Sequence, residues 1–358
     1  MKVDTGQVGG TGGQVPIVQS KAGIEETPRE ASEDAPTGPG PLKLVILIPV
    51  YNDWPSANLL LRQIDSLCAG NKLNPAVLLV NDGSTIPIPG DFMAWTPAAL
   101  RRVDALDLYR NLGHQRAICV AMVHLCHDSP DVAVLVMDAD GEDRPDQIPL
   151  LINTYFDHGE SSAIFAARKR RAEGIVFKVF YQLYRLLHVA LVGTDIRIGN
   201  FSLLPAALVE RLVRSSDLWN HYAACVVKSK LPLATVPIDR GKRLLGRSHM
   251  NFNSLVLHGL SAMSVYSDVI GVRVLVMTAV FVLLGIMALA SIVLLRAMTP
   301  WAIPGWATTV FGIVLILMFH VAIVSLLFTF GVLASRGGQS FIPVRDCPHF
   351  VLGVHRLR

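Results

Sequence analysis

Short apolar runs alternate with amphipathic stretches in the first half of the chain. Runs with strand character occupy residues 44–48, 76–80, 103–109, 132–137 and 162–167, and helical periodicity occupies 56–69 and 115–126. An apolar strand followed by an amphipathic helix, repeated several times, is the pattern of helices packed on both faces of one sheet. The pattern therefore predicts a doubly wound α/β domain with a mostly parallel sheet.

Two much longer apolar runs follow, at residues 274–295 and 306–334, and neither contains Asp, Glu, Lys or Arg. Each exceeds the about 20 residues that a helix needs to cross the hydrocarbon core of a bilayer. The composition agrees, since 51% of the residues are hydrophobic and only 17% are charged, which is more apolar than a soluble domain. We predict two transmembrane helices; the alternative is a buried helical hairpin in a large soluble core.

Basic residues are distributed unevenly around these runs. The linker of residues 296–305 contains a single arginine, whereas four arginines follow the second run, namely Arg336, Arg345, Arg356 and Arg358. By the positive-inside rule both ends of the chain are expected on the cytoplasmic side. No basic-then-apolar signal segment precedes residue 41, which adds to the expectation of a cytoplasmic catalytic domain.

Two further stretches have the composition of helices that lie along a membrane surface. Residues 177–188 interleave aromatic and aliphatic side chains with Lys178 and Arg185, and residues 252–269 lead directly into the first long run. For the first stretch, an ordinary core-facing helix is an equal alternative. The predicted organisation has these parts: a disordered tail at 1–40, rich in Gly, Pro, Ser and Thr; a catalytic domain at 41–250 with an interfacial helix near 174–192; a juxtamembrane helix at 251–272; two spans within 273–335; and a cytoplasmic tail at 336–358.

The candidate chemistry lies where the predicted strands end. Polar segments follow four of them, at residues 49–53, 81–85, 110–114 and 138–143. In an open α/β sheet the carboxyl ends of such strands line the crevice where ligands bind. Asp138 and Asp140 stand one residue apart, and on a strand they would point the same way. Carboxylates so arranged suit Mg²⁺ or Mn²⁺ held together with substrate phosphates; the alternative is a solvated acidic turn.

Five short motifs, in this order, resemble a known family. They are Pro49-x-Tyr51-Asn52, Asp82-Gly83-Ser84, Arg110-Asn-x-Gly113, Asp138-x-Asp140 and Arg243-x-x-Gly246-x-Ser248. With two C-terminal spans behind them, they resemble the family 2 inverting glycosyltransferases of GT-A fold that act on polyprenyl phosphates. The resemblance implies a Rossmann-like GT-A domain followed by a helical membrane hairpin.

The resemblance also implies roles for individual residues. Nucleotide contacts are implied for Pro49, Tyr51, Asn52, Asp82, Gly113 and Asp138. A divalent cation, Mg²⁺ or Mn²⁺, is implied at Asp138, Asp140 and Glu142. Catalytic roles are implied for Asp140, Asn200, Arg243 and Ser248, and contacts to the lipid phosphate for Lys242, Arg243, Arg247 and Ser248. The basic segment at 241–248 has a second interpretation, as a juxtamembrane patch that attracts anionic lipid.

The implied partners are a nucleotide sugar, UDP-linked with a GDP-linked sugar as the alternative, a polyprenyl phosphate and the membrane lipids. A homo-oligomer, a tetramer in relatives, is implied as well, and no nucleic acid is expected. The implied location is the bacterial inner membrane. Two alternatives stay open: a processive polysaccharide synthase, although residues 182–186 lack the tryptophan of its acceptor motif, and a catalytically silent membrane scaffold.

Three positions depart from the family pattern. Glu142 stands where many relatives have a Gln that assists the metal, and Asn200 stands where many have an Asp proposed as catalytic base. Asn81 replaces a frequent Asp before Asp82. A phosphate acceptor is largely ionised at neutral pH, because its second pKa is about 6, so its attack requires no base.

Overall fold

The computed structural model describes residues 42–168, 175–193, 198–245, 252–298, 305–337 and 341–358. The predicted disordered tail at 1–40 and two predicted site residues, Arg247 and Ser248, lie outside these ranges. The described part has one eight-stranded sheet. Its strands are β1 (Leu44–Val50), β2 (Ala76–Asn81), β3 (Arg102–Leu108), β4 (Ala133–Val136), β5 (Ala163–Arg168), β6 (Ser202–Leu204), β7 (Leu233–Ile238) and β8 (Val351–Arg356).

The strand order is β7-β5-β6-β4-β1-β2-β3-β8. The four central strands β4, β1, β2 and β3 are parallel, with Ile46 opposite Val77 and Leu135. Strand β6 pairs antiparallel with β4, and β8 pairs antiparallel with β3, while β7 runs parallel to β5. All five strands predicted from the sequence are confirmed, and the parallel centre is confirmed within a sheet that is mixed toward its edges.

Helices cover both faces of this sheet. The helices in the described part of the chain are α1 (Trp54–Asn71), α2 (His114–Asp128), α3 (Ile148–Asp157), α4 (Ile175–Val192), α5 (Ala206–Leu212), α6 (Tyr222–Lys228), α7 (Phe252–Ser264), α8 (Ser267–Met298), α9 (Trp306–Gly337) and α10 (Pro343–Asp346). Strand β1 is buried along its whole length. Its alternate residues enter two separate cores, Leu47 the one beneath α2 and Ile46 the one beneath α1. A strand covered on both faces has to be apolar throughout, which explains the unbroken run read in the sequence.

Helices α8 and α9 form a long apolar hairpin. Each has 32 residues, or about 48 Å at 1.5 Å per residue, longer than the about 30 Å core of a bilayer. In the most apolar windows only 0% and 6% of the residues are buried. The helices are therefore not the buried hairpin of a soluble core, because their apolar surface faces outward.

The hairpin is attached to the domain at the start of α8. Ile270 is buried in a small core with Val192, Tyr266 and Ala224, and the Arg273 guanidinium donates to the carbonyl oxygen of Ala190 at 3.1 Å. The first turn of α8 thus packs against α4 and α6, and the exposed apolar part of the helix begins beyond it.

The segment after α9 differs from the prediction of a tail at 336–358. It folds into α10 and β8, and β8 pairs with β3 through Asp104 opposite Arg356 and Leu106 opposite Val354. The strand was missed because it has only six residues, and because its partner lies about 250 positions earlier in the chain. The hairpin consequently leaves the domain at α8 and returns to the sheet of the same domain.

Candidate active site at the carboxyl ends of the central strands

Loops from β1, β2 and β4 meet at one edge of the sheet, since these strands are parallel and adjacent. The loop after β2 holds a buried acid, Asp82, which is 3% exposed. Its carboxylate accepts the backbone N–H groups of Leu112 at 2.7 Å and Gly113 at 3.0 Å. Burial raises the pKa of Asp82 above its ordinary value, although these hydrogen bonds and the charge of His114 act in the opposite direction. Asp82 and Gly113, both predicted nucleotide contacts, are brought together.

Gly83 makes this junction possible. Its φ is +61°, and a Cβ there would lie 2.4 Å from the carbonyl carbon of Arg110. Only glycine permits both the left-handed conformation and this approach of two loops. The glycine of the Asp-Gly-Ser motif therefore fixes the position of Asp82 against the loop that follows β3.

Asn52 ties the loop after β1 to the loop after β2. Its backbone N–H donates to Ser84 Oγ at 3.0 Å, its Oδ1 accepts from the N–H of Ile86 at 3.0 Å, and its Nδ2 donates to Thr85 Oγ1 at 3.0 Å. Tyr51 is 47% exposed beside it, whereas Pro49 is buried within β1. The predicted contacts of Tyr51 and Pro49 with the nucleotide remain predictions.

The structure gives a physical reason for Asn81, the third departure. Its Nδ2 donates to Asp107 Oδ1 at 2.8 Å, and its Oδ1 accepts from the N–H of Ser84 at 3.0 Å. His355 of β8 lies 3.2 Å from the other oxygen of Asp107. An Asp at position 81 would set one carboxylate against another, so the amide is the residue that suits this neighbour.

The Asp-x-Asp motif lies beyond β4, which ends at Val136, so Asp138 and Asp140 stand in a turn. The prediction that the two aspartates point the same way because side chains alternate along a strand was therefore wrong. The turn is held by Asp143, fully buried, which accepts the N–H of Asp138 at 3.0 Å. Asp140 Oδ1 in turn accepts the N–H of Glu142 at 2.9 Å. Asp143 orients the motif, a role not recognised in the sequence.

The oxygen donors of this turn fit Mg²⁺ or Mn²⁺ in type. No three His, Cys, Asp or Glu side chains among the described residues form a cluster ready to hold a metal. Two neighbouring carboxylates without a complete cage are what a cation needs when substrate phosphates supply its other ligands. The residues present therefore fit a cation that arrives with a diphosphate.

His114, at the start of α2, was also missed. Its Nε2 lies 3.1 Å from Asp138 Oδ1 and 2.9 Å from Asn200 Nδ2. Burial lowers the pKa of His114, but the charges of Asp138, Asp143 and Asp82 outweigh burial and leave this pKa raised. The sequence could have indicated His114 as a site residue, because it directly follows the Arg110-Asn-x-Gly113 motif.

Asn200 is held on both sides. Its Oδ1 accepts from Gln115 Nε2 at 3.0 Å, and Gln115 Oε1 accepts the N–H of Tyr222 at 2.8 Å. The amide group of Asn200 is thus directed at His114 next to the metal motif. Its predicted place in the site is consistent with this geometry, and its catalytic role remains a prediction.

The loop after β7 lies directly on the metal motif. Arg243 contacts Asp140 Oδ2 at 3.3 Å through Nη1 and Asp53 Oδ2 at 3.0 Å through Nη2. Arg240 forms an ion pair with Glu142, whose predicted role as a metal ligand stays a prediction. Lys242 is exposed. The site is thus a crevice in which acids on the strand ends face arginines on a single loop.

Comparison with known sequences gives this crevice a family context. Residues 45–207 match the family model described as Glycosyl transferase family 2. A stretch of 112 residues is 35% identical to the undecaprenyl-phosphate 4-deoxy-4-formamido-L-arabinose transferase of Erwinia tasmaniensis and covers 31% of this chain and 33% of that protein. The match spans only about a third of that relative. An uncharacterized glycosyltransferase of Bacillus subtilis, YkcC, is 24% identical over 318 residues, which cover 86% of this chain and 92% of the relative.

Two solved structures are similar to part of this chain. Mannosyl-3-phosphoglycerate synthase from Rubrobacter xylanophilus has a TM-score of 0.47 at 16% identity and covers 63% of this chain and 73% of its own. Glucosyl-3-phosphoglycerate synthase from Mycobacterium tuberculosis, solved with Mn²⁺, UDP-glucose and glycerol 3-phosphate, has a TM-score of 0.47 at 15% identity and covers 64% and 80%. The family match and the mixed sheet confirm the predicted fold class, a GT-A-type domain with two C-terminal apolar helices.

Proposed function

Since residues 45–207 match the Glycosyl transferase family 2 model, we propose that this protein is a glycosyltransferase that moves a sugar from a nucleotide-sugar donor, a UDP-sugar, to the phosphate of a polyprenyl lipid. One observation carries the proposal. The crevice of acids and arginines and the apolar hairpin of α8 and α9 belong to the same folded unit. A relative named for transfer to undecaprenyl phosphate supports the choice of acceptor.

The donor binds across the strand ends in this proposal. The nucleoside lies beside Tyr51, Asn52 and Asp82, and the diphosphate lies toward Asp138 and Asp140. Asp82 and Asn52 are already held by hydrogen bonds from neighbouring loops, so little ordering is required when the nucleoside binds. A preorganised pocket of this kind reduces the entropic cost of binding.

Asp138 and Asp140, with Glu142 as a further candidate, would hold Mg²⁺ or Mn²⁺, and the bound cation would neutralise charge on the departing diphosphate. Arg243 lies within reach of the same group because it already contacts Asp140. As an arginine directed at charge that develops during transfer, it stabilises the transition state more than the bound donor.

The transfer step is an in-line displacement with inversion. An oxygen of the lipid phosphate forms a bond to the anomeric carbon while the bond from that carbon to the diphosphate breaks, and the nucleoside diphosphate leaves. The acceptor is already an anion near neutral pH, so no side chain has to remove a proton. Asn200 in place of a carboxylate is compatible with this step, and its amide orients His114 beside the motif.

The membrane places the acceptor near this site. The first turn of α8 packs on the domain at Ile270, and the hairpin returns to the sheet through β8. Both ends of the hairpin are therefore on the side of the catalytic domain, and the arginine distribution supports a cytoplasmic location for that domain. A cysteine at position 299 should react with an impermeant thiol reagent in intact cells, whereas one at position 340 should not; the reverse result would invert the proposed topology.

The decisive assay uses the purified full-length protein in detergent. It is incubated with undecaprenyl phosphate, Mn²⁺ or Mg²⁺ and a panel of UDP- and GDP-sugars, and the lipid product is identified by mass spectrometry. We expect a glycosylated lipid phosphate with one UDP-sugar and no product when EDTA is present. Absence of product from every donor, with donor binding retained, would favour a catalytically silent protein of the same fold.

A further inference from the structure

Two acids of the metal motif are each paired with an arginine of one loop. Arg243 contacts Asp140, and Arg240 contacts Glu142. The side chains involved are about one-fifth exposed, between 19% and 22%. The same carboxylates are the predicted ligands of the cation. Arginine and cation therefore compete for the same oxygen atoms.

The loop is also attached by its backbone. The N–H of Gly241 donates to the carbonyl oxygen of Glu142 at 2.8 Å, and the N–H of Leu244 donates to that of Asp140 at 2.9 Å. Gly141 has a φ of +81°, and a Cβ there would lie 2.4 Å from the Leu244 side chain. A residue other than glycine at 141 would thus displace the loop. These contacts make the loop and the motif one interlocked segment.

We propose that Arg240 and Arg243 act as internal counter-ions of the metal motif, which a divalent cation displaces so that both guanidinium groups become available to phosphate. Arg240 is thereby a positioning residue that no sequence motif singled out. The proposal rests on the proposed metal-dependent function and adds to it a coupling between the cation site and the loop.

The coupling has a direction that follows from charge. With no cation, the arginines neutralise Asp140 and Glu142 and keep the loop packed against the metal motif. With a cation bound, those carboxylates are already neutralised, and a guanidinium nearby is repelled by the positive ion. Coupling between two binding events is reciprocal. If a bound cation weakens the docking of the loop, a docked loop lowers the affinity for the cation by the same factor. The loop arginines therefore weaken cation binding in the absence of donor, although they assist the reaction.

The test measures Mn²⁺ binding to the full-length protein without donor, by loss of the free Mn²⁺ signal in electron paramagnetic resonance. Arg240→Gln and Arg243→Gln should each tighten binding by about five- to fiftyfold, the usual range of coupling between sites. The matched control is Lys242→Gln, which removes the same charge from the same loop at an exposed position. It should change the affinity by less than about twofold, because screening by solvent weakens an exposed charge. Arg243→Lys keeps the charge, so its Mn²⁺ affinity should be closer to that of the original protein than the affinity of Arg243→Gln.

A second measurement follows the loop itself. Hydrogen–deuterium exchange of the peptide covering residues 239–245 should increase when Mn²⁺ alone is added, since the ion pairs of Arg240 with Glu142 and of Arg243 with Asp140 are lost. In Arg240→Gln/Arg243→Gln exchange should be high from the start and insensitive to Mn²⁺. Unchanged or slower exchange on adding Mn²⁺ to the original protein would overturn the proposal.

The possible failures are distinguishable. If the original protein binds Mn²⁺ and the arginine variants bind it no better than Lys242→Gln does, the competition is disproved while the proposed function stands. If neither the original protein nor any variant binds Mn²⁺, with or without UDP, the metal-dependent function and the competition are both wrong.

Discussion

The two sides of the crevice are built in different ways. On the nucleotide side, Asp82 and Asn52 are held by hydrogen bonds, four of which are donated by backbone N–H groups. On the metal side, Asp140 and Glu142 are held to the loop after β7 by arginines, and Asp138 lies against His114. The nucleotide side is held by hydrogen bonds between loops, whereas the metal side is held in addition by ion pairs that a ligand can replace.

This difference indicates which part of the site is already formed before a ligand binds. Hydrogen bonds between loops need no ligand and remain when one binds, so the nucleoside enters a pocket that is already in place. Ion pairs that share their carboxylates with an incoming cation persist only until that cation arrives. The contrast yields predictions that separate the effects of geometry from those of charge.

The largest effect is expected at Asp140. Asp140→Asn keeps an oxygen that can accept the N–H of Glu142 but removes the charge needed for the cation, so transfer should fall by about a thousandfold, or several kcal/mol. Radiolabelled sugar transfer to lipid phosphate measures the rate, and an unchanged unfolding midpoint serves as the control. Near-normal transfer in this variant would remove Asp140 from the metal site.

The next effect is expected at Arg243. Arg243→Ala should lower turnover by about a hundredfold, because a cation directed at developing charge stabilises the transition state by a few kcal/mol. Donor affinity, measured by calorimetry with Mn²⁺ present, should change much less. If affinity collapses while turnover at saturating donor stays normal, Arg243 is a donor-binding residue only.

A smaller effect is expected on the nucleotide side. Asp82→Asn keeps the shape and one acceptor but turns an NH₂ group toward the N–H of Leu112 or Gly113, so one hydrogen bond is lost. An unsatisfied buried donor costs about 1–3 kcal/mol, and we expect donor affinity to fall about tenfold with little change in Mn²⁺ affinity. A large loss of Mn²⁺ affinity would show that the two sides are not separate.

The smallest effect concerns pH and a histidine behind the site. Burial lowers the pKa of His221 to about 3, and the charge of His258 acts in the same direction. In the unfolded chain this histidine binds a proton near pH 6.5. Between pH 6.5 and 3 the unfolded state thus holds more protons, so stability falls as the pH falls, by up to about 1.4 kcal/mol per pH unit.

His221→Asn tests this pH dependence. The His221 ring accepts the N–H of Ala224 at the start of α6, and asparagine can cap a helix in the same way without titrating. Unfolding midpoints measured from pH 7.5 to 5.5 should decline less steeply in the variant. An equal decline in both proteins would assign the acid sensitivity to other groups.

The sequence was informative where structure depends on local pattern. Strands such as residues 44–48 are easily predicted because burial on both faces requires an apolar run. The long helices are predicted from the length of their apolar runs alone. Asp140 was predicted from its position after an apolar strand, and Asp82 and Arg243 were identified from a resemblance; all three lie in the crevice. Their roles in binding and transfer still await the measurements above.

What the sequence did not show depends on distant partners. Arg240 lies about 100 positions from Glu142, and nothing near it in sequence marks it as different from other arginines. His114 was passed over for a similar reason, since its contact to Asp138 arises only when two loops meet. The contact of Asp143 to Asp138 is local, but it depends on the conformation of the turn, which the pattern did not indicate. The turn that carries Asp138 and Asp140 was placed on a strand because β4 is shorter than its apolar run.

Strand β8 has a consequence for how the protein is made. During synthesis residues 1–350, both long helices among them, leave the ribosome before the strand that closes the β3 edge. Until then β3 exposes unpaired backbone groups, which in other proteins invite aggregation. The C-terminal Arg358 then secures the closure by donating to the carbonyl oxygen of Met93 at 2.9 Å. Completion of the catalytic domain is thereby postponed until the membrane hairpin has been synthesised, so a chain cut short after the hairpin lacks one edge of its sheet.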